Sequence, residues 1–324
     1  MDLHTITTDL PFVGYGESRI GGRSENQDSY GFSDTPFGLL VTMCDGMGGG
    51  PGGKTASSIA VKEIIDGVAE ANADELTPVD ALLNAIHAAN LAIIGAQVEN
   101  PKLKGMGTTC TALLINKESA IIAHVGDSRV YQLRGHHKVF RTFDHSMVFE
   151  LVKNGTITEE QARLSDNSNF ITRALGLKPE LEIDIAERPY EKGDRFMLCS
   201  DGIHGTMPEP ELIKRVCGNK NLPQVVDGLA TYVDQMGRSH GGGHDNLTLV
   251  IIKTKTKSKL KEKMSTRSKI IFVVLAVLLA VSCITNIKQC SKIKSLKTVP
   301  NKTAFKDTID MSIDTLNCHS QVIE

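Results

Sequence analysis

Apolar positions along the chain recur with two periods, and the switches between them mark out its elements. Leu39–Met43 is an unbroken apolar or β-favouring run that continues through Cys44 and delivers Asp45 into the glycine-rich stretch DGMGGGPGG, which predicts a buried strand with a carboxylate at its end. The same design recurs three times. Ala120–Val125 leads to Asp127, Arg195–Cys199 leads to Asp201, and Asp245 stands just before the run NLTLVIIK. Upstream, Phe12–Arg19 predicts an opening strand, and the polar segment GGRSENQDSYGF that follows carries Arg23, Gln27 and Asp28.

A helical period replaces the strand period after the glycines. Ala56, Ile59, Ala60, Ile64 and Val68 fall on one stripe, and Leu82, Leu83, Ile86, Ala89 and Ile93 on another, so two amphipathic helices follow the first strand. GMGTTCTALLI, SAIIAHVGDSRVYQLR and HHKVFRTF then read as consecutive strands, a run that fits antiparallel pairing better than alternating βαβ units. From Asp144 to Gly176 the pattern is helical and irregular, with Thr158 as an N-cap before Glu159 and Glu160, and the segment has the character of a flap. Strands return at LEIDIAERP and DRFMLCSD, helices at PEPELIKRVC and Leu222–Gln235, and a last strand at NLTLVIIK. The architecture these elements predict is α+β: a sheet of hairpins with helices on its faces.

Composition narrows the classes of function. The 324 residues carry a formal net charge of -2, without the basic footprint of a nucleic-acid binder, so nucleic acid is not expected as a partner. Seven cysteines lack any C-x-x-C pair, which argues against zinc knuckles, thioredoxin motifs and a disulfide framework and fits a reduced compartment. None is followed six residues later by Arg, so the C-x5-R loop of cysteine-dependent phosphatases is missing. Cys44 and Cys199 end apolar strands and read as small buried hydrophobes.

Beyond 252 the composition changes. Alternating lysines from Lys253 to Lys263, then Arg267 and Lys269, form a basic linker over 253–269. The uncharged run IIFVVLAVLLAVSCITNI, 270–287, is long enough as a helix, about 27 Å, to cross a bilayer core of about 30 Å. A polar tail occupies 288–324. With no signal peptide at the start and the denser basic block before the apolar run, the expectation is a single-pass membrane protein whose domain at 1–252 is cytoplasmic.

Aspartates gathered at strand ends suit hard divalent cations, Mn²⁺ or Mg²⁺, which take carboxylate oxygens and keep several waters. Metals held this way can acidify a water and clamp a phosphoryl group for in-line attack, which slow phosphate monoester hydrolysis requires. An arginine fork would complete a phosphate site, and Arg23 is the candidate.

The ordered series R-x-x-x-Q-D, D-G-M-G-G, G-D-S-R, S-D-G and D-N resembles the metal-dependent PPM/PP2C family of protein serine/threonine phosphatases, bacterial type, over roughly Gly14 to Ile252. The resemblance implies a four-layer α/β/β/α sandwich of two antiparallel sheets flanked by helices. It implies that Asp45 bridges two metals, that Gly46 lends its carbonyl, that Asp201 and Asp245 complete the set, and that Asp127 with Asp201 holds a third metal. Asp45, Arg23 and Asp28 are then the catalytic candidates, with Arg23 on the phosphate. Phosphorylated Ser/Thr proteins would be the substrates and membrane-associated kinases the partners. Three departures stand out: Gln27 where Glu is common, Met47 where many eukaryotic members have a proton-donating His, and GGGPGGKTAS without the His and Glu that commonly follow the glycines. With Met47 there, a metal-bound water would have to protonate the leaving group.

Two other readings compete. Gly48–Thr55 matches the P-loop G-x-x-x-x-G-K-[ST], which would make the protein a membrane-anchored nucleotide hydrolase. The other is an inactive phosphoprotein-binding module at the membrane.

Overall fold

Side chains alternate across each apolar run, and that alternation decides how the layers stack. In β4 (Gly38–Met47), Leu39, Val41 and Met43 point into one core while Leu40 and Cys44 point into another. Both faces of this strand are therefore covered, which is why it reads as continuous rather than alternating. The computed structural model describes residues 4–48, 52–218, 221–260 and Leu278. All of these but Leu278 fall in one compact unit, Met1–Glu262. The expected membrane span at 270–287 and the tail at 288–324 lie, Leu278 apart, outside the described residues.

Two antiparallel sheets face each other. One has the order β1 (His4–Ile6), β2 (Phe12–Arg19), β12 (Leu247–Thr254), β11 (Arg195–Cys199), β8 (Arg129–Arg134), β9 (His137–Arg141). The other runs β10 (Asp184–Arg188), β7 (Ala120–Val125), β6 (Cys110–Ile115), β4, β3 (Asp28–Thr35), with the short β5 (Gly107–Thr108) on β4. Between them lies a core of Leu39, Val41, Leu113 and Ile122 from one sheet against Val130, Phe196, Leu198 and Val250 from the other.

Helices close both outer faces. α1 (Gly52–Ala69) and α2 (Pro78–Glu99) lay Ala60, Ile64, Leu82 and Ile86 on Leu40, Leu114 and Ala123. α6 (Glu209–Cys217) and α7 (Leu222–Ser239) lay Leu212, Val216, Val226 and Leu229 on Met197, Leu249 and Ile251. Each fully buried Leu or Ile contributes about 1.5–3 kcal/mol relative to exposure. Among the described residues α2 is also the one helix long and apolar enough to cross a membrane, but its Leu82, Ile86, Ala89 and Ile93 are in the core. Thr77 caps it through the Asp80 N–H, with Pro78 at its first turn.

One expectation needs correction. The run SAIIAHVGDSRVYQLR reads as one strand in a sheet of hairpins, yet it divides at GDSR into β7 and β8, which belong to different sheets. The three residues Gly126–Ser128 carry the chain from one layer to the other, and Gly126 takes φ +103°, a conformation open to glycine. Asp127 therefore sits where the two sheets meet. The segment Asp144–Gly176 contains α3 (Met147–Lys153) and α4 (Glu159–Arg163), the latter opened by a capping box between Thr158 and Gln161. A short helix, α5 (Asp201–His204), follows β11 directly.

Candidate active site

Antiparallel pairing brings the five aspartates to one end of the sandwich. Asp28, the first residue of β3, lies opposite Asp45 on β4. On the other sheet Cys199 is opposite both Leu249 and Arg129, so the end of β11 and the starts of β12 and β8 coincide. Asp201, Asp245 and Asp127 each follow or precede those ends by two residues. All but Asp28 line a cleft of about 350 Å³, together with Arg23, Gln27, Gly46, Met47 and Thr109. Asp45 lies inside β4 rather than beyond it, because the strand runs on to Met47 and the turn begins at Gly48.

Gly46 and Gly53 let the start of α1 approach the end of β4. A Cβ on Gly46 would meet the Gly53 carbonyl oxygen at 2.1 Å, and one on Gly53 would meet Gln27 Oε1 at 2.6 Å. The Asp45 backbone is fixed from the other side: its N–H donates to Thr109 Oγ1 at 2.9 Å and its carbonyl accepts from the Thr109 N–H at 2.9 Å. Asn246 does the same for the loop that carries Arg23. Its Nδ2 donates to the Ile20 and Glu25 carbonyls, and its Oδ1 accepts from the Gln27 N–H at 2.8 Å.

The charge balance is one-sided. Burial first, then repulsion from Asp28, Asp201, Asp127 and Asp245, pushes Asp45 well above the usual carboxylate range. Burial and Asp201 do the same to Asp127. Asp201 rises to about 7 through burial and then Asp245 and Asp28. Burial raises Asp28 to about 6 although Ser200 Oγ donates to its Oδ2 at 3.0 Å. Oδ1 of Asp28 and Oδ1 of Asp201 are buried without a partner. Among the described residues the one ion pair on these five carboxylates is Arg23 Nη2 to Asp245 Oδ2, 2.8 Å, and both side chains are exposed. An all-oxygen donor set of mutually repelling, orphaned carboxylates is what hard divalent cations require. The residues present fit such ions.

Sequence reasoning thus named the residues that come together. It missed Thr109, Ser200 and Asn246, which hold them, although TT beside a strand and S and N flanking the aspartates were visible in the motifs GMGTTC, SDG and DN. The P-loop reading does not survive. Lys54 Nζ donates to the Asp28 carbonyl at 3.0 Å and to Ser29 Oγ at 3.2 Å, and the preceding strand belongs to an antiparallel sheet.

Comparison with known proteins agrees with this geometry. A family model described as protein phosphatase 2C matches residues 15–246. The serine/threonine phosphatase stp of Listeria monocytogenes is 33% identical over 235 residues, covering 71% of this chain and 91% of that protein. The solved S. agalactiae serine/threonine phosphatase superimposes with a TM-score of 0.67 at 32% identity, over 75% of this chain and 99% of that one. The catalytic domain of the serine/threonine protein phosphatase PstP, solved in complex with two manganese ions, gives a TM-score of 0.62 at 29% identity, over 75% and 97% of the two chains.

Proposed function

The chain belongs to the protein phosphatase 2C family and is a metal-dependent protein serine/threonine phosphatase, and from that premise we propose how its own residues carry the reaction. Asp45, Asp201 and Asp245, with the Gly46 carbonyl, hold two divalent cations, and Asp127 with Asp201 holds a third. Mn²⁺ or Mg²⁺ suits the oxygen donors. When bound, such ions supply neutralisation of phosphoryl charge and a water acidic enough to attack phosphorus near neutral pH.

The chain does the rest. Arg23 releases its exposed contact with Asp245, a pair of the kind worth little in water, and grips the phosphoryl oxygens of phosphoserine or phosphothreonine with its planar fork. Asp28 lies behind Asp45 in the ladder, and Thr109 holds the Asp45 backbone in place. No histidine lines the cleft among the described residues, and Met47 has no proton to give, so a water in the cleft would protonate the departing seryl or threonyl oxygen.

The observation that carries this reading is the gathering of five aspartates whose one ion pair among the described residues is with an exposed Arg23. Its test is phosphate release from a phosphothreonine peptide by the full chain with Mn²⁺, with EDTA, and as Asp45→Asn and Lys54→Ala. Turnover should need metal, fall at least about 10²-fold in Asp45→Asn, the scale of losing a group that acts on the transition state, and persist in Lys54→Ala. Activity indifferent to both EDTA and Asp45→Asn would sink it.

The enzyme works at a membrane, on phosphorylated proteins there and opposite the kinases that modify them. Two features support this. The run at 270–287 has the length and apolarity of a span behind a basic block. Lys259 and Leu260 donate their N–H groups to the Lys117 and Glu118 carbonyls in the β6–β7 turn, so the domain's last described residues leave from the end opposite the aspartates. Cell fractionation of the full chain beside a chain lacking 270–324 should move the protein from the membrane pellet to the supernatant; a soluble full chain would contradict the tether.

A further inference from the structure

His145, at the head of the segment between β9 and β10, makes a two-way clasp on the turn that presents Asp127. Its N–H donates to the Gly126 carbonyl at 2.8 Å, and its ring Nδ1 accepts from the Gly126 N–H at 3.1 Å. Gly126 cannot be replaced to serve the purpose, since a Cβ there would meet Thr109 Cγ2 at 2.6 Å. The ring is held in its plane by two neighbours. His124 packs against it with centroids 4.6 Å apart and ring planes tilted by 36°, and Asp184 Oδ2, on β10, faces its Nε2 at 3.2 Å. Arg173 steadies Asp184 at 3.1 Å and pairs with Glu182 at 2.9 Å. The Thr172 N–H donates to the His145 carbonyl at 2.8 Å, tying the far end of the segment to the same residue.

His124, His145 and Asp184 have the spacing of a metal site. The hydrogen bonding argues against one. With Nδ1 accepting from a backbone N–H, a neutral His145 carries its proton on Nε2, and the lone pair a cation would need there is absent. Two groups face Nε2, Arg173 Nη1 at 3.4 Å and Asp184 Oδ2 at 3.2 Å; Asp184 is the nearer and the one that can accept the proton, which fixes ring orientation and makes Nδ1 the better acceptor.

Building on the metal-site reading above, we propose that His145, oriented by Asp184, is a positioning residue for Asp127 and sets the affinity of the cation that Asp127 helps to hold. The chain of contacts is Asp184 to His145 Nε2, His145 Nδ1 to the Gly126 N–H, and one peptide unit from there to Asp127. The segment 144–176 is thereby linked to the Asp127 position through His145, while another link to the site runs through Leu175, which pairs with Thr108, whose Oγ1 donates to the Asp45 carbonyl at 2.8 Å.

The test is a Mn²⁺ titration of the full chain, followed by electron paramagnetic resonance and calorimetry, on wild type, His145→Gln, His145→Asn and Asp184→Leu. His145→Gln should weaken the loosest class of Mn²⁺ sites about 10–100-fold, the usual cost of losing a group that orients a metal ligand, and leave the tighter sites unchanged. His145→Asn, whose Oδ1 stands close to the place of Nδ1, should recover most of that affinity. The half-exposed Asp184→Leu should show the same loss to a smaller degree in a chain whose melting in EDTA is unaltered. Equal losses in Asn and Gln, or wild-type Mn²⁺ binding in all three variants, would overturn the positioning role while leaving the phosphatase reading intact. A wild-type chain that neither binds Mn²⁺ nor turns over would remove both.

Discussion

Two clusters of buried charge flank Asp127, and they are balanced in opposite ways. On one side Arg129, only two residues on, meets Asp144 through both of its forks, Nε to Oδ1 at 2.7 Å and Nη2 to Oδ2 at 2.6 Å, and both side chains are more than nine-tenths buried. Tyr131 accepts from the same guanidinium, which lies over the Phe149 ring as does Arg141, itself paired with Glu159 and Glu209. On the other side Asp28, Asp45, Asp127 and Asp201 have no basic partner among the described residues. The contrast excludes the idea that this fold simply has no room for counter-charges. It places arginines accurately next door and leaves these aspartates without one.

The largest effect should come from breaking the balanced side. Removing one member of a buried, hydrogen-bonded pair strands the other charge, at about 3–5 kcal/mol. Asp144→Ala should cost that much in urea unfolding of the metal-free chain. The double change Arg129→Met with Asp144→Leu should recover most of it, since neither charge is then buried alone. A loss under about 1 kcal/mol, the level of an exposed pair, would mean that water reaches Arg129 and that the two clusters do not differ as described.

The difference between the clusters also explains what the chain disclosed before folding. Asp45, Asp127, Asp201 and Asp245 were legible because each adjoins an apolar run that predicts a strand, and a strand end is a place, not merely a composition. The two helix stripes and the Thr158 cap were legible for the same reason: their rules act over three or four residues. Partners that meet through tertiary packing were not. Nothing near Arg129 announces Asp144, fifteen residues on and across β9, and nothing near Gly126 announces His145. Sheet membership of β7 and β8 was likewise hidden, because a three-residue link between two apolar runs can turn a hairpin or cross between layers, and only packing on both faces decides.

The smallest and most diagnostic effect concerns the unbalanced side without metal. Carboxyls whose folded pKa is raised, Asp28 to about 6 and Asp201 to about 7, bind more protons folded than unfolded, so their contribution to stability is greatest in acid and falls as pH rises from about 4 through 7. The buried His124, lowered to about 3, and His204, also lowered, act in the other direction over the acid part of that range, since unfolding lets them take up protons. A single melting curve against pH therefore mixes both. Comparing wild type with Asp45→Asn cancels the histidines and isolates the repulsion among the aspartates. In EDTA at pH 7.5, Asp45→Asn should melt a few degrees above wild type, and the gain should shrink toward pH 5, where protons already relieve the crowding. Saturating Mn²⁺ should reverse the order, stabilising wild type more than the variant, because ligand bound only to the folded state adds stability with its concentration. If Asp45→Asn melts lower than wild type in EDTA at pH 7.5, the aspartates do not repel one another as placed, and their gathering ceases to distinguish a site built to receive cations from an ordinary set of polar turns.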